Sequence, residues 1–318
     1  MTRAIAAAVA LILCATVGAE AQNWPSRTVK FIIPFGPGAG ADIGARLFAD
    51  KLAAKWGQPV VVENRPGGDA IVSINAFLGA NDDHTFWFGP TGSFIVHPFV
   101  HSKLNYNPAE LTPIVRVSNT ILAVSVKNDA PYSNVKEFTA AARAAPGTFN
   151  SGLVQGVTEF TFWGYQHHEK LQIAQVPYRD INVAPVDLGE GRIQVVMSSL
   201  AVAQPQWQAG RIKLITVTTK TRVKAARDVP TAREQGYPSL EWEGLVGLFG
   251  LKSMPSEMKE RIAADFRDGA ADGKIAERLE ATGQIINTGG PKEFADSVAE
   301  QQAAIAAVAK AIDFKPKN

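Results

Sequence analysis

The residues that could do chemistry are few, and most of them do not combine. His97 and His101 stand four apart, and His167, His168 and Glu169 are adjacent. Helical i, i+4 histidines can ligate zinc, but Pro98 directly follows His97 and argues against helix there, and three consecutive residues cannot all face one metal. These histidines are read as structural or surface groups, and no metal is expected. Ser93, Ser198 and Ser199 belong to no G-x-S-x-G elbow and are read as hydrogen-bond donors rather than nucleophiles. Asp42 and Glu63 can be imagined as a carboxylate pair, although a helix N-cap and a strand-end surface acid are the plainer assignments. No catalytic set assembles from these groups, so neither an enzyme nor a cofactor is expected.

What remains is a stretch of bare backbone. The apolar run Val29, Phe31, Ile32, Ile33 stops at Pro34, passes through a loop holding Gly36, Gly38 and Gly40, and resumes with helical spacing at Ile43, Leu47 and Leu52. From Gly38 to Ala41 no side chain exceeds a methyl, and Asp42 stands where an N-cap belongs. A strand, a tight loop and a helix start present free N–H groups and the positive end of a helix dipole, which suits an anion. The anion is read as a carboxylate. A dinucleotide fingerprint is the competing reading, since Glu63 ends the next strand where a ribose-binding acid would sit. Its spacing fails, because Gly38 and Gly40 are followed by Gly44 rather than by a glycine at position 43. No Gly-Lys-Ser/Thr follows either, which removes a P-loop.

The elements that must position this loop follow from the rest of the chain. Arg3, the apolar run Ala4 to Val17 and Ala19-Glu20-Ala21 read as a signal peptide cleaved after Ala21, which places the mature chain in the periplasm with no membrane insertion. Cys14, the only cysteine, leaves with it, so no thiol or disulfide supports the fold. At 318 residues with a net charge of +2 and dispersed Lys and Arg, two domains are expected and no nucleic-acid partner.

Strands at Val29 to Ile33, Pro59 to Glu63 and Thr85 to Gly89 alternate with helices, which implies right-handed crossovers, and ligands bind beyond the carboxyl ends of such strands. The alternation breaks at Asp129 to Ser133 and resumes through strands at Thr148 to Ser151, Gln172 to Val176, Ile193 to Met197 and Arg211 to Thr218. Trp242 to Leu251 is a further apolar β-like run, followed by helical stretches at Pro255 to Asp268, Lys274 to Ala281 and Pro291 to Ala311, which return to the first domain. The expected architecture is an α/β two-domain periplasmic-binding-protein clamshell. Each domain is a mixed, mainly parallel sheet flanked by helices, and a two-strand hinge joins them. Domain 1 comprises residues 22–122 and 218–318, and domain 2 residues 123–217.

Six segments carry a family likeness: Trp24-Pro25-Ser26-Arg27, Val29 to Asp42, Gly57 to Gly67 (GQPVVVENRPG), Val176-Pro177-Tyr178-Arg179, Gly210 to Lys213 and Asp228 to Thr231. Together they resemble the Bug-type solute-binding proteins of tripartite tricarboxylate transporters, over essentially the whole mature chain. The resemblance implies a monomeric receptor that closes on a small carboxylate and delivers it to the transporter's membrane subunits. A sensory subunit presenting its ligand to a signalling domain, and an exported enzyme acting on a carboxylate, are the alternatives. By resemblance the ligand is enclosed by Phe35, Gly36, Gly38, Ala39, Gly40, Ala41 and Asp42, by Thr91, Gly92 and Ser93, and by Val154, Gln155, Val157, Thr158 and Phe160. Tyr178, Arg179, Ser198 and Ser199 line the cleft from the second domain.

Three departures bear on the ligand. Relatives usually carry Asp-Asn where this chain has Ser198-Ser199, which suggests a ligand without an ammonium group. The segment Gly152 to Phe160 is more apolar than usual through Leu153, Val154 and Phe160, with Phe162 or Trp163 as further candidates. Arg179 replaces the usual lysine and is either a fork for a second carboxylate or a solvated surface arginine. Together these favour an aromatic or otherwise apolar-bodied mono- or dicarboxylate, such as a phthalate-type acid, over an amino acid or citrate.

Overall fold

The computed structural model describes residues 24–316 except 154, 155 and 179. The expected signal peptide, Val154, Gln155 and Arg179 therefore lie outside the described residues. In chain order the first part runs β1 (Val29–Ile33), α1 (Gly40–Trp56), β2 (Val60–Asn64), α2 (Ile71–Ala80), β3 (Thr85–Pro90), the one-turn helices α3 (Gly92–Ile95) and α4 (His97–Val100), and β4 (Leu111–Thr120). The middle part runs β5 (Leu122–Lys127), α5 (Val135–Ala144), β6 (Phe149–Leu153), α6 (Val157–Glu169), β7 (Ile173–Pro177), α7 (Ala184–Gly189), β8 (Val195–Ser199), α8 (Leu200–Gln208) and β9 (Ile212–Val217). The last part is β10 (Gly244–Leu251), α9 (Ser256–Ala270), α10 (Gly273–Ala281), β11 (Gln284–Gly289) and α11 (Pro291–Ala311).

Two separate mixed sheets result, one ordered β11-β4-β10-β3-β1-β2 and the other β7-β6-β8-β5-β9. Strands that feed a helix pair in parallel, β1 with β2 and β3, and β6 with β7 and β8. Antiparallel pairs appear where the chain passes between the sheets, as β10 on β3 and β4, and β5 on β8 and β9. Parallel pairing thus holds for the strand–helix units, and the crossing strands add the antiparallel share. A single residue, Ile121, separates β4 in the first sheet from β5 in the second. The return segment is tied beside it: Trp242 N–H donates to the Thr218 carbonyl at 2.9 Å, and the Thr218 hydroxyl donates to the Trp242 carbonyl at 2.7 Å.

The first core explains why α1 sits where it does. Its face Ala41, Ala45, Phe48, Ala49 and Leu52 is buried against Phe31 and Phe266, with the Phe48 and Phe266 rings stacked at 5.0 Å. The helix stops at Gly57, whose left-handed φ of 67° lets its N–H reach the Ala53 carbonyl. At the centre of the same sheet Gly247 is obligatory, because a Cβ would lie 2.4 Å from both the Phe294 ring and the Val115 carbonyl.

Three sequence expectations change. Pro98 does not prevent a helix: it occupies the first turn of α4, where its missing N–H is harmless. Residues 284–289, which lie between the helical stretches expected at Lys274 to Ala281 and Pro291 to Ala311, form β11, an edge strand bonded only to β4. Phe160 does not face a ligand. It is fully buried, with its ring 5.1 Å from Phe314, 5.2 Å from Trp163 and 6.2 Å from Phe99. The opposite side of α6 buries Phe162 and Tyr165 in the core of the second sheet, so this helix packs on both lobes. Leu153 likewise lies in that second core. Phe160→Ala is expected to lower the unfolding free energy by about 3 to 5 kcal/mol, read by urea denaturation. A loss below about 1 kcal/mol would contradict the core assignment.

Candidate functional site

Between the lobes lies a cavity of about 1030 Å³. Its first-lobe wall contains Phe35, Gly36, Gly38, Ala39, Gly40 and Ala41, and beside them Gly92 and Ser93 from the loop after β3. From the second lobe come Val157, Thr158 and Ser199. At one rim the lobes come close enough that a Cβ on Gly92 would stand 2.7 Å from the Val157 side chain.

Five of the residues expected at the site stand behind this wall rather than on it. Asp42 is not the N-cap: that position is Ala39, which supplies no side-chain cap, and Asp42 lies in the first turn. Only 2% exposed, its carboxylate accepts from the Gly38 N–H at 2.8 Å, from Arg46 Nε at 3.1 Å and from Asn64 Nδ2 at 2.9 Å. Asn64 Nδ2 also donates to the Phe35 carbonyl at 2.8 Å. Burial pushes the Asp42 carboxyl up, but the bonds from Arg46, Gly38 and Asn64 together outweigh it and hold the group below the usual carboxylate range. Asp42 thus braces the loop, and it takes the Gly38 N–H away from any ligand.

Thr91 is buried and donates to Gln301 Oε1 at 2.6 Å. Ser198 is buried in β8, because only alternate residues of a strand share a face. The Tyr178 hydroxyl donates to Asp187 Oδ2 at 2.7 Å, and burial followed by that bond pushes the phenol up to about 12. Phe160, the fifth, is the core ring described above.

The N–H groups that remain are those of helix starts. In α1 the backbone N–H groups of Gly40, Ala41 and Asp42 have no hydrogen-bond partner among the described residues, as the first turn of an uncapped helix dictates. The start of α6, after Gly156 at φ 139°, carries no side-chain cap. In α8 the Ser199 hydroxyl reaches Val202 N–H at only 3.4 Å, and Ala201 and Val202 line the cavity. Three helix N-termini of 17, 13 and 9 residues, drawn from both lobes, therefore end at one cavity.

Sequence reasoning missed a group of lining residues. Gln284 of β11 donates from Nε2 to the Gly40 carbonyl at 2.7 Å and accepts from the Ser118 hydroxyl at 2.7 Å. The Gly40 carbonyl and the Ala41 N–H share one planar peptide and point oppositely, so Gln284 fixes the direction in which the Ala41 N–H faces. Thr282, Asn182, Trp242, His97 and Asp69 also line the cavity. The signal available for β11 was the β-branched pair Ile285-Ile286 with Thr288, bounded by Gly283 and Gly289-Gly290. His97 is buried, its Nδ1 2.5 Å from the Tyr106 hydroxyl, and burial with the neighbouring His101 lowers it to about 4, so it is neutral at physiological pH. No group of three His, Cys, Asp or Glu positioned for a metal occurs among the described residues. Among the described lining residues there is neither lysine nor arginine.

The family model "Tripartite tricarboxylate transporter family receptor" matches residues 44–314. The chain belongs to this receptor family. It is therefore a solute-binding receptor rather than an enzyme. A relative from Pseudomonas sp. (strain P51), the UPF0065 protein in the tcbD-tcbE intergenic region, is 28% identical over 91% of this chain and 87% of its own length. A solved structure described as R. palustris Rpa4515 with adipate superposes with a TM-score of 0.80 at 26% identity, covering 92% of this chain and all of its own. The periplasmic binding protein BugD superposes with a TM-score of 0.76 at 22% identity, over 92% of this chain and 100% of its own, and so shares the fold.

Within this receptor the Asp42 brace has a testable cost. Asp42→Asn is expected to destabilise by about 1.5 to 3 kcal/mol at neutral pH, the worth of a charge-assisted hydrogen bond. Because the folded group titrates below its unfolded value of 3.8, its contribution is present above that value and lost as pH falls through the folded one. Urea midpoints of wild type and Asp42→Asn are thus expected to converge below about pH 4, and parallel pH profiles would contradict the brace.

Proposed function

We propose that this receptor captures an apolar-bodied carboxylate in the interlobe cavity and hands it to the membrane subunits of a tripartite tricarboxylate-type transporter. The observation that carries this reading is the arrival of three uncapped or weakly capped helix starts at a cavity without a lysine or arginine among its described lining residues. One helix start contributes about 0.3 to 2 kcal/mol to holding an anion. Micromolar affinity requires about 8 kcal/mol, and several charge-assisted hydrogen bonds of about 1.5 to 3 kcal/mol each fill that gap in a closed cleft. A carboxylate spends its two oxygens on such donors without needing a cation. The adipate held by the neighbour of 26% identity is a ligand of this class.

The body of the ligand is inferred from the rest of the wall. The apolar side expected from Leu153 and Phe160 is supplied instead by Phe35, Val96, Leu122, Val157, Trp242 and Val246. These surfaces favour an aromatic or otherwise apolar body on a mono- or dicarboxylate, and they disfavour citrate, whose three carboxylates have no cation to meet among the described residues. The mature chain, Gln22 to Asn318, acts in the periplasm as a monomer after cleavage behind Ala21. No helix among the described residues is long and apolar enough to cross a membrane.

A thermal-shift screen of the mature chain against aliphatic, amino-acid and aromatic carboxylates tests this reading. A ligand at a hundredfold excess over its Kd is expected to add about 2.7 kcal/mol of stability. Stabilisation by aromatic and apolar aliphatic acids with none by citrate supports it. Absence of any shift, together with absence of a small acid released on denaturation, contradicts it.

A further inference from the structure

The only negatively charged side chain among the described lining residues is that of Asp69. Its carboxylate accepts no hydrogen bond from the described residues; His101 Nε2 stands 4.0 Å away, within reach of an ion pair but beyond hydrogen-bonding distance. The backbone around it is equally unusual. Gly67, Gly68, Asp69 and Ala70 run consecutively at φ 116°, 54°, 52° and 72°. Glycine occupies such conformations freely, whereas any residue with a Cβ is disfavoured there. An acid kept in a left-handed conformation on the wall of the ligand cavity, its side chain 40% exposed and its carboxylate accepting no hydrogen bond among the described residues, is the kind of outlier from which a functional role is inferred.

Building on the carboxylate-receptor reading above, we infer that Asp69 is a specificity-determining residue, which selects acids whose far end carries a hydroxyl group. Three end groups can be compared by their charge and hydrogen-bonding capacity. A second carboxylate meets Asp69 as a like charge, with no lysine or arginine among the described lining residues to separate them. A purely apolar end strips water from Asp69 and returns no hydrogen bond, which costs affinity. A hydroxyl donates to the carboxylate, forming a charge-assisted bond, while adding no charge of its own. An ammonium group satisfies Asp69 but enters a cavity on which three helix starts impose a positive field. Next to Asp69, His97 is neutral, its ring 5.1 Å from that of His101, and Tyr106 is engaged with His97 Nδ1. The favoured class is therefore a hydroxylated, apolar-bodied monocarboxylate of the hydroxybenzoate or hydroxyphenylalkanoate type.

Calorimetric titration of the mature protein tests this with matched sets: benzoate and 3-phenylpropanoate, their para-hydroxylated counterparts, their para-carboxylated counterparts, and phenylalanine with tyrosine. In wild type the hydroxylated acid is expected to bind about tenfold or more tightly than its parent, the size of one charge-assisted hydrogen bond. Asp69→Asn and Asp69→Gly are expected to remove most of that preference, and both are expected to improve binding of the para-carboxylated acid. Asp69→Gly also controls for folding, since it relieves the left-handed strain and is expected to leave the thermal midpoint at or above wild type. Unchanged preference in both variants, or wild-type preference for the dicarboxylate or the amino acid, would overturn the role of Asp69 while leaving the carboxylate receptor standing. Failure of every acid in all sets to bind would overturn both.

Discussion

The structure depends on a single constraint: an anion in this cavity must be met by backbone N–H groups, because no lysine or arginine occurs among the described lining residues. Within a helix such groups are available only at its start, since every later N–H is spent on the helix's own ladder. The fold meets this constraint by ending strands at the cavity and starting helices there. β1 runs into α1, β8 runs directly into α8, and β6 leads to α6. Because these helices come from both sheets, the donors converge only when the lobes face each other.

Holding donors in place takes as much of the structure as supplying them. Asp42, Arg46 and Asn64 hold the loop after β1 from behind, and Gln284 holds the Gly40 carbonyl from the side. The bond from Gln284 acts most directly, since the Gly40 carbonyl it holds shares a peptide plane with the free Ala41 N–H. The partners come from β2 and β11, strands at opposite edges of the same sheet, so the loop is gripped by the full width of that sheet. Between the lobes, α6 performs a related task. Its first turn lines the cavity, while Phe160 and Trp163 pack with Phe99 and Phe314 of the first lobe and Phe162 and Tyr165 pack under the second sheet.

Much of this was legible in the sequence, and the rest fails for identifiable reasons. The strand–loop–helix at residues 29–56 and the helix Pro291–Ala311 are written in apolar spacing and in Gly and Pro punctuation, which are local signals. The mixed two-sheet architecture followed from the alternation of strands and helices. Asp42 was placed at the cap because its type fits one, yet the cap is a residue with no side-chain acceptor, and the carboxylate folds back on the loop instead. Phe160 by resemblance, and Leu153 by its apolar character, were given to the ligand side, yet an apolar residue type marks burial without saying against what. β11 was missed because an edge strand needs only one partner, and β4 is more than 160 residues away in sequence. Asp69 drew no notice because its significance lies in a backbone conformation that its residue type does not announce.

The most direct test of the central claim is an amide titration, in which 1H–15N spectra of the mature protein are followed as the tightest-binding carboxylate from the screen is added. Binding by helix starts is expected to move the Gly40 and Ala41 resonances of α1 and the Val157, Thr158 and Ala201 resonances of α6 and α8 more than any others, with the Gly38 amide, already bonded to Asp42, moving least among its neighbours. Saturable binding that leaves those helix-start amides unmoved and shifts lysine or arginine side chains instead would contradict it.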